Sequence, residues 1–243
     1  MSLLTPLLWL LIISPLLIIA HFFSEKTNFK YLLIFAIYFL VDSYLQALGT
    51  EYLKLDFLNL DWNWSGKILS LILSLSFIFF HSKEIRKEIG FTSKFNSKTL
   101  KLGVFIFLGF LVFDFIFKMI IFPKGGQFDL ESFLFQATMP GTEELVFRGI
   151  YLYLLGRAFS SSKNIKEVAF GWGFIIVTFL FGMVHGVFLT EELELKFDII
   201  TIAYLTLIPS LGLGILRKFT GNLILPVIGH NLINTMNIFI RLR

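Results

Sequence analysis

The chain contains no cysteine and few charged residues. Asp, Glu, Lys and Arg make up 16% of its 243 residues, whereas hydrophobic residues make up 56% and the mean hydropathy is +0.80. Without cysteine there can be no disulfide bond and no thiolate metal ligand, so any metal would need histidine and carboxylate ligands. Soluble domains usually contain about 25% charged residues. The composition therefore predicts a membrane protein.

Long apolar segments recur along the whole chain. A bilayer core of about 30 Å is crossed by a helix of about 20 residues, and eight segments approach this length. They are Leu3–Phe23, Tyr31–Leu48, Lys67–His81, Leu100–Phe122, Phe133–Phe159, Val168–Leu189, Ile199–Leu216 and Asn222–Ile240. The third is short, and Glu51–Trp64 could form an interfacial helix, so seven spans is an alternative count. The predicted fold class is all-α, a polytopic membrane helix bundle of about eight transmembrane helices.

Basic residues cluster in alternate loops. The first segment has no Lys or Arg before Lys26, so we expect a membrane helix there and not a cleaved signal peptide. Loops one, three, five and seven hold thirteen of the 21 Lys and Arg residues, and the positive-inside rule places these loops in the cytoplasm. The thirteen are Lys26, Lys30, Lys83, Arg86, Lys87, Lys94, Lys98, Lys101, Arg157, Lys163, Lys166, Arg217 and Lys218. The net charge of +4 therefore indicates membrane lipid as a partner, and no nucleic acid.

Ionisable residues interrupt the apolar segments of the C-terminal half. A charged side chain at the bilayer centre costs about 2.5–3.5 kcal/mol, so several of them together indicate a functional site. Glu144 and Arg148 lie four residues apart and are predicted to form an ion pair on one helix face. Glu143 points about 100° away from Glu144. One carboxylate can thus be structural while the other faces a cavity.

Two later segments add histidines. His185 follows Phe181 by four residues and therefore lies on the same helix face. Gly182 and Gly186 have a spacing that lets a neighbouring helix approach closely. Because the fifth and sixth spans are antiparallel, His185 and Glu143 are expected in the same leaflet.

The eighth span contains His230 and, four residues later, Asn234, so one helix face carries two hydrogen-bonding side chains. Glu143-Glu144-x-x-x-Arg148, Phe181-x-x-x-His185 and His230-x-x-x-Asn234, in this order on three helices, resemble the three signature motifs of the CPBP intramembrane proteases. That family includes CAAX prenyl proteases and the bacterial Abi and bacteriocin-immunity proteins. The resemblance divides the single membrane domain, residues 1–243, into N-terminal helices (1–130) and a CPBP protease core (131–243).

The resemblance implies an intramembrane endopeptidase that hydrolyses a peptide bond of a membrane-associated peptide or protein. Glu143 would be the general base that activates water with the help of His185, while His230 and Asn234 would stabilise the oxyanion. The ion pair of Glu144 and Arg148, with Phe181, would shape the site. The active-site cavity is expected between helices five, six and eight, in a protein integral to a bacterial plasma membrane.

Other interpretations use the same residues. Glu143, His185 and His230 could be zinc ligands, since the family was long described as metalloproteases. We favour a mechanism without a cofactor because the chain has no His-Glu-x-x-His helix. A non-catalytic membrane binding or bacteriocin self-immunity protein is an alternative of another class. A small transporter could use Glu143 and His185 as a proton relay, but no inverted repeat is present.

Three further acidic features have no place in the motifs. Asp42 and Asp114 lie inside apolar segments, where they could line the cavity, pair with Arg148 or hydrogen-bond to a neighbouring helix; a structural role is expected for both. The run Glu191-Glu192-Leu193-Glu194, just after His185, could attract a basic substrate. Such a run is more often a solvated loop.

Overall fold

A computed structural model of the protein describes residues 3–51, 60–160 and 162–243. This part of the chain is a helix bundle with two small β-hairpins. The helices are α1 (Thr5–Phe22), α2 (Phe29–Glu51), α3 (Trp64–Phe79), α4 (Lys83–Ile89), α5 (Leu100–Ile121), α6 (Leu130–Thr138), α7 (Leu152–Ala158), α8 (Trp172–Gly186), α9 (Ile199–Leu205), α10 (Leu211–Thr220) and α11 (Ile224–Arg241). A 3₁₀ turn, Pro140–Thr142, and a π-helical segment, Leu145–Tyr151, connect α6 to α7, and a second π-helical segment, Thr206–Ser210, joins α9 to α10.

The hairpins occupy two of the connections between helices. Strands β1 (Ser162–Ile165) and β2 (Val168–Gly171) pair antiparallel before α8, with Ser162 opposite Gly171. Strands β3 (Val187–Leu189) and β4 (Leu195–Phe197) pair antiparallel after α8. The indole N–H of Trp9 donates to the carbonyl oxygen of Val187 at 2.6 Å, which ties the second hairpin to α1.

The predicted all-α membrane bundle is confirmed, with differences in detail. Every predicted apolar segment contains a helix, but the fifth is interrupted by the 3₁₀ turn and the sixth begins and ends in a strand. By length and composition, the described residues provide four helical segments able to cross a membrane; these are Thr5–Phe22, Phe29–Gly49, Leu100–Ile121 and Ile199–Thr220. Helices α3 and α8 are shorter apolar helices. Most of the proposed interfacial stretch Glu51–Trp64 lies outside the described residues.

The helix surfaces explain why this bundle needs a membrane. On α5, Phe105 is 76% exposed and Ile120 is 78% exposed, whereas Phe107 and Asp114 on the opposite face are buried. Such a helix is apolar on its outer face and keeps Asp114 and Lys118 buried where it meets the bundle. Lipid is the solvent in which this arrangement is favourable, because apolar side chains exposed to water would cost free energy.

The four basic loops meet at one end of the bundle. The amide of Asn28 donates to the carbonyl oxygen of Ala158 at 2.8 Å, and that of Asn96 donates to Thr220 at 2.8 Å. Across the same end, Lys98 pairs with Glu167 at 3.0 Å. The sequence prediction that these loops share one side is therefore confirmed. We call this end, formed by the loops around residues 23–28, 80–99, 157–171 and 217–223, the basic end.

Candidate active site

The loop between α6 and α7 is held in place by α11. The amide of Gly141 donates to the side-chain oxygen of Asn231 at 2.6 Å, and a Cβ atom at position 141 would lie only 2.7 Å from the carbonyl oxygen of Val227. Only glycine allows this close approach. Glu143 and Glu144 follow immediately and lie just before the π-helical segment, and π-helical turns are frequent at functional sites. Sequence reasoning missed Asn231, because its partner lies 90 residues away in the chain.

The two oxygens of the Glu143 carboxylate have different surroundings. Oε1 forms a short ion pair with Nζ of Lys67 on α3. Oε2 lies 3.8 Å from Nε2 of His185 and has no hydrogen-bond partner among the described residues. The Glu143 side chain is 14% exposed. Oε2 is thus an available acceptor beside an imidazole nitrogen.

His185 is oriented by its own helix. Its Nδ1 lies 2.6 Å from the carbonyl oxygen of Phe181, which can only accept a hydrogen bond, so Nδ1 carries a proton. In a neutral ring Nε2 is then the basic nitrogen, and this nitrogen faces Glu143. The imidazole side chain is 36% exposed. The four-residue spacing of Phe181 and His185 therefore fixes the tautomer as well as the helix face.

Glu144 is completely buried between two partners. Its Oε1 lies 2.8 Å from Nδ1 of His230 and 3.3 Å from Nη1 of Arg148. The ion pair predicted from the spacing of Glu144 and Arg148 is therefore present. The His230 partner was not predicted, because Glu144 lies 86 residues earlier in the chain. The carboxylate joins the π-helical segment to α11.

Arg148 links Glu144 to two further elements. Its Nη2 donates to the carbonyl oxygen of Ser210 at 3.2 Å and to the Ser210 hydroxyl at 3.0 Å, within the second π-helical segment. Its guanidinium carbon lies 4.3 Å from the ring centroid of Phe181, a favourable cation–π distance. Phe181 therefore contacts Arg148 through its ring and His185 through its carbonyl oxygen.

Asn234 has a different environment from the other residues of the three motifs. Its side-chain amide nitrogen donates to the carbonyl oxygen of His230 at 3.3 Å, on the same helix. Its side-chain oxygen accepts a long hydrogen bond of 3.5 Å from Asn237. In this conformation the amide of Asn234 is bonded within α11.

Glu143 and His185 face a cavity of about 220 Å³. Its wall comes from α1, α2, α3, the beginning of the fifth predicted span around the first π-helical segment, and α8 of the sixth predicted span. The lining residues are Trp9, Phe39, Asp42, Ser43, Gln46, Ala47, Asn63, Lys67, Glu143, Val146, Phe147, Tyr151, Val184 and His185. The predicted location between helices five, six and eight is thus corrected: the fifth and sixth spans line the cavity together with the N-terminal helices, whereas His230 and Asn234 of the eighth span are not among its lining residues.

A polar network on α2 and α3 forms one side of this cavity. Nζ of Lys67 donates to the side-chain oxygen of Gln46 at 3.1 Å, and the amide nitrogen of Gln46 donates to Asp42 at 2.9 Å. The hydroxyl of Ser70 donates to the other oxygen of Asp42 at 2.5 Å. The sequence shows Asp42 as an acid within an apolar segment, whereas Lys67 is only the first residue of the third predicted segment. Its partner Glu143 is 76 residues away, so no spacing rule could find it.

The other acidic features lie elsewhere. Asp114 pairs with Lys118 at 2.7 Å on α5 and accepts a short hydrogen bond from the hydroxyl of Tyr204 on α9. It therefore bonds to a neighbouring helix, and no ion pair with Arg148 is present among the described residues. The run beginning at Glu191 lies in the exposed turn of the β3–β4 hairpin, where Glu194 pairs with Lys196 at 2.9 Å.

The three candidate zinc ligands are Glu143, His185 and His230. In the part of the chain that the structure describes, no group of three or more His, Cys, Asp or Glu side chains is arranged to hold a metal ion. Glu143 and His185 face each other, but Nδ1 of His230 is directed to Glu144. These three residues do not form a zinc ligand set in this conformation.

The bundle and its cluster define the class: a helical membrane protein with paired glutamate and histidine side chains beside an internal cavity. Residues 127–236 of the chain match the family described as type II CAAX prenyl endopeptidase Rce1-like. All three motifs lie inside the matched segment, and the match confirms their resemblance to the CPBP proteases. No curated protein and no solved structure gives a significant match to the chain.

Proposed function

We propose that this protein is an intramembrane endopeptidase that uses Glu143 and His185 to activate water against a peptide bond of a membrane-associated peptide or protein. One observation carries the proposal: Oε2 of Glu143 and Nε2 of His185 lie 3.8 Å apart on the wall of one cavity, and Oε2 has no hydrogen bond to another described residue. Two groups at this separation can share a bridging water. The Rce1-like match independently supports proteolysis.

In the proposed reaction, a water molecule bound between the two groups gives a proton to Glu143. Its oxygen forms a bond to the carbonyl carbon of the substrate, whose π electrons move onto the carbonyl oxygen. The electron pair of the oxyanion then reforms the C=O bond, the C–N bond breaks, and the proton held by Glu143 passes to the departing amine. Nε2 of His185 is the second basic group beside the water, because Nδ1 already donates a hydrogen bond to the carbonyl oxygen of Phe181.

The remaining motif residues have supporting roles in this proposal. His230, held by Glu144 through Nδ1, would help to stabilise the developing oxyanion. Asn234 would add a second donor after its amide leaves the carbonyl of His230. Arg148 balances the charge of Glu144, so that the carboxylate can hold His230 without an unpaired buried charge.

The test is cleavage of a fluorogenic peptide library by the purified protein in liposomes. Glu143→Gln keeps the size of the side chain but removes the base, and general bases typically contribute about 10²- to 10⁴-fold in rate. We expect a loss of that order. Glu192→Gln, which changes an exposed acid in the β3–β4 hairpin, is the matched control and should keep full activity.

Two results would contradict the proposal. A folded wild-type protein that cleaves no peptide, together with a Glu143→Gln variant that keeps its biological function, would favour the non-catalytic binding or immunity protein. Loss of activity on chelation, with recovery on adding zinc, would replace the proposed mechanism by a metal-dependent one. Activity that survives chelation and disappears only in Glu143→Gln is the expected outcome.

A further inference from the structure

A second cavity, of about 280 Å³, lies at the basic end of the bundle. It is formed by α4, α7, the N-terminus of α8 and the C-terminal part of α10. Charged lining residues are Glu88, Arg157, Arg217 and Lys218. The residues of the motifs play no part in this cavity, and the CPBP resemblance assigns nothing to it.

Arg217 is a buried cation without a carboxylate. Its side chain is only 7% exposed. Its Nη2 donates to the backbone carbonyl oxygen of Glu88 at 2.9 Å, while its Nε has no hydrogen-bond partner in the described part of the chain. No Asp or Glu of the described residues lies within ion-pairing distance of it. A buried guanidinium in this state is expected to bind an anion, because an unpaired buried charge is costly.

The neighbouring charges increase the positive character of the cavity. Lys218 follows Arg217 directly, is half-buried and forms no ion pair within the described ranges; its Nζ lies 5.8 Å from the ring centroid of Phe170. The carboxylate of Glu88 is already occupied, since Arg157 donates to its two oxygens at 3.0 and 2.5 Å. The one acid of the cavity is thus neutralised by Arg157, and Arg217 and Lys218 are left without a counter-charge.

Capping of α4 explains only part of this arrangement. The carbonyl of Glu88 belongs to the last turn of α4, so the hydrogen bond from Arg217 stabilises the end of that helix. The guanidinium also lies against Gly90, where a Cβ atom would approach it to 2.4 Å. Capping requires one N–H group. It accounts neither for the free Nε of Arg217 nor for the cavity and Lys218 beside it.

We propose that this cavity binds a phosphate group, and that the phosphate belongs to the headgroup of an anionic phospholipid. A guanidinium and an ammonium that converge on one cavity suit phosphate oxygens, because both donate charge-assisted hydrogen bonds. The cavity lies at the end of the bundle where the positive-inside rule places the cytoplasmic headgroups. Basic pockets between membrane helices on this side are known to bind anionic lipid headgroups.

The experiment measures binding to the full-length protein in a neutral detergent. The probes are dioctanoyl phosphatidic acid, dioctanoyl phosphatidylcholine and inorganic phosphate, and the readouts are native mass spectrometry and the shift in unfolding temperature. Variants Arg217→Gln and Lys218→Gln each remove one cation. Lys163→Gln, an exposed residue of β1 at the same end, is the matched control for loss of general surface charge.

We expect phosphatidic acid to bind the wild type, and each of the two variants to weaken this binding by about tenfold or more, with no change in the control. Tighter binding of phosphatidic acid than of inorganic phosphate identifies a lipid. If inorganic phosphate binds as tightly as phosphatidic acid, the cavity is a phosphate site, but the proposal that the phosphate belongs to a lipid is wrong. If Arg217→Gln does not fold, the binding of phosphatidic acid to Lys218→Gln decides whether the cavity is the binding site. Unchanged lipid binding in Lys218→Gln would overturn the proposal, and because the assay involves no catalysis, the protease proposal would be unaffected.

Discussion

At the scale of single residues, Glu143 is held between two helices, α3 and α8, that both line the same cavity. Lys67 of α3 pairs with one oxygen, and His185 of α8 lies beside the other. Lys67 therefore fixes the direction in which the second oxygen points. In the proposed mechanism it is a positioning residue, because it touches the base and not the reacting atoms.

Replacement of Lys67 by Met tests this role. The change removes a hydrogen bond between charged groups, an interaction of roughly 1.5–3 kcal/mol, so kcat should fall by about 10- to 100-fold while KM changes little. Lys67→Arg should recover part of the rate. A larger effect on KM than on kcat would instead indicate that Lys67 binds the substrate.

Arg148 provides a stability prediction at the same scale. Arg148→Met would leave Glu144 buried beside His230 without its cation, and removal of one partner of a buried ion pair typically costs about 3–5 kcal/mol. We expect a large drop in unfolding temperature or in the yield of folded protein. Arg241→Met, which alters an exposed arginine at the end of α11, is the control and should behave like the wild type.

These residues also show how far the sequence could lead. Glu144 with Arg148, and Phe181 with His185, are four residues apart on one helix, so helix geometry alone placed them together. The partners Lys67 with Glu143, and Glu144 with His230, are 76 and 86 residues apart. Contacts of this kind depend on how the helices pack, and no periodicity in a single sequence contains that information.

At the scale of elements, α8 and α9 are joined by a contact that only small residues permit. A Cβ atom at Gly182 would lie 2.1 Å from the hydroxyl oxygen of Thr206, and one at Gly186 would lie 2.8 Å from the carbonyl oxygen of Asp198. The glycine spacing predicted such a helix contact, and the structure confirms it. The sequence did not predict the π-helical segments or the hairpins, because an apolar segment has the same composition whether it forms one helix or several shorter elements.

Enlarging Gly182 tests this contact. Gly182→Leu places a side chain where the backbone of α9 runs, and overpacking typically costs about 1–3 kcal/mol, with displacement of His185 on the same helix. Both stability and proposed activity should fall. Gly109→Leu is the matched control, since a Cβ atom there meets nothing within 4 Å. Equal losses in the two variants would show that the close approach is not needed.

The segment before α3 is attached to α6 through Glu131. Its carboxylate accepts hydrogen bonds from the amides of Asp61 and Trp62, both at 3.1 Å, and from the indole N–H of Trp64 at 3.0 Å. Desolvation raises the pKa of Glu131, but these donors outweigh it, so the pKa lies below its ordinary value of 4.5. Protonation would weaken the attachment.

A pH dependence follows from this attachment. Because the folded pKa is lowered, the stabilisation from Glu131 is present above about pH 4.5 and is lost as the pH falls through the folded pKa. Protease protection of the segment around Trp62 should therefore decrease in acid. Glu131→Gln should remove the pH dependence and give low protection throughout. A wild type that is equally protected at pH 3 and pH 7 would contradict the assignment.

At the scale of the whole molecule, the candidate active site and the basic end lie at opposite ends of the bundle. Lys67 is near the beginning of α3, whereas the basic loops follow its end; His185 is near the end of α8, whereas β1 and β2 precede its beginning. The positive-inside rule then predicts that the cavity of Glu143 opens toward the non-cytoplasmic half of the membrane.

This sidedness can be measured directly, because the chain has no native cysteine. Lys163→Cys marks the basic end and Glu192→Cys marks the β3–β4 hairpin. A maleimide that does not cross membranes should label Glu192→Cys in intact cells, and Lys163→Cys only after permeabilisation. The reverse pattern would place the cavity on the cytoplasmic side.

The composition of the cavity wall has a consequence for specificity. The family match begins at residue 127, yet Trp9, Asp42 and Lys67 come from helices that precede it. The wall of the pocket is therefore built partly from the matched segment, which contains Glu143 and His185, and partly from helices outside it. Substitutions in α1, α2 and α3 can change which peptide fits while the three motifs stay intact, so proteins with identical motifs need not share a substrate.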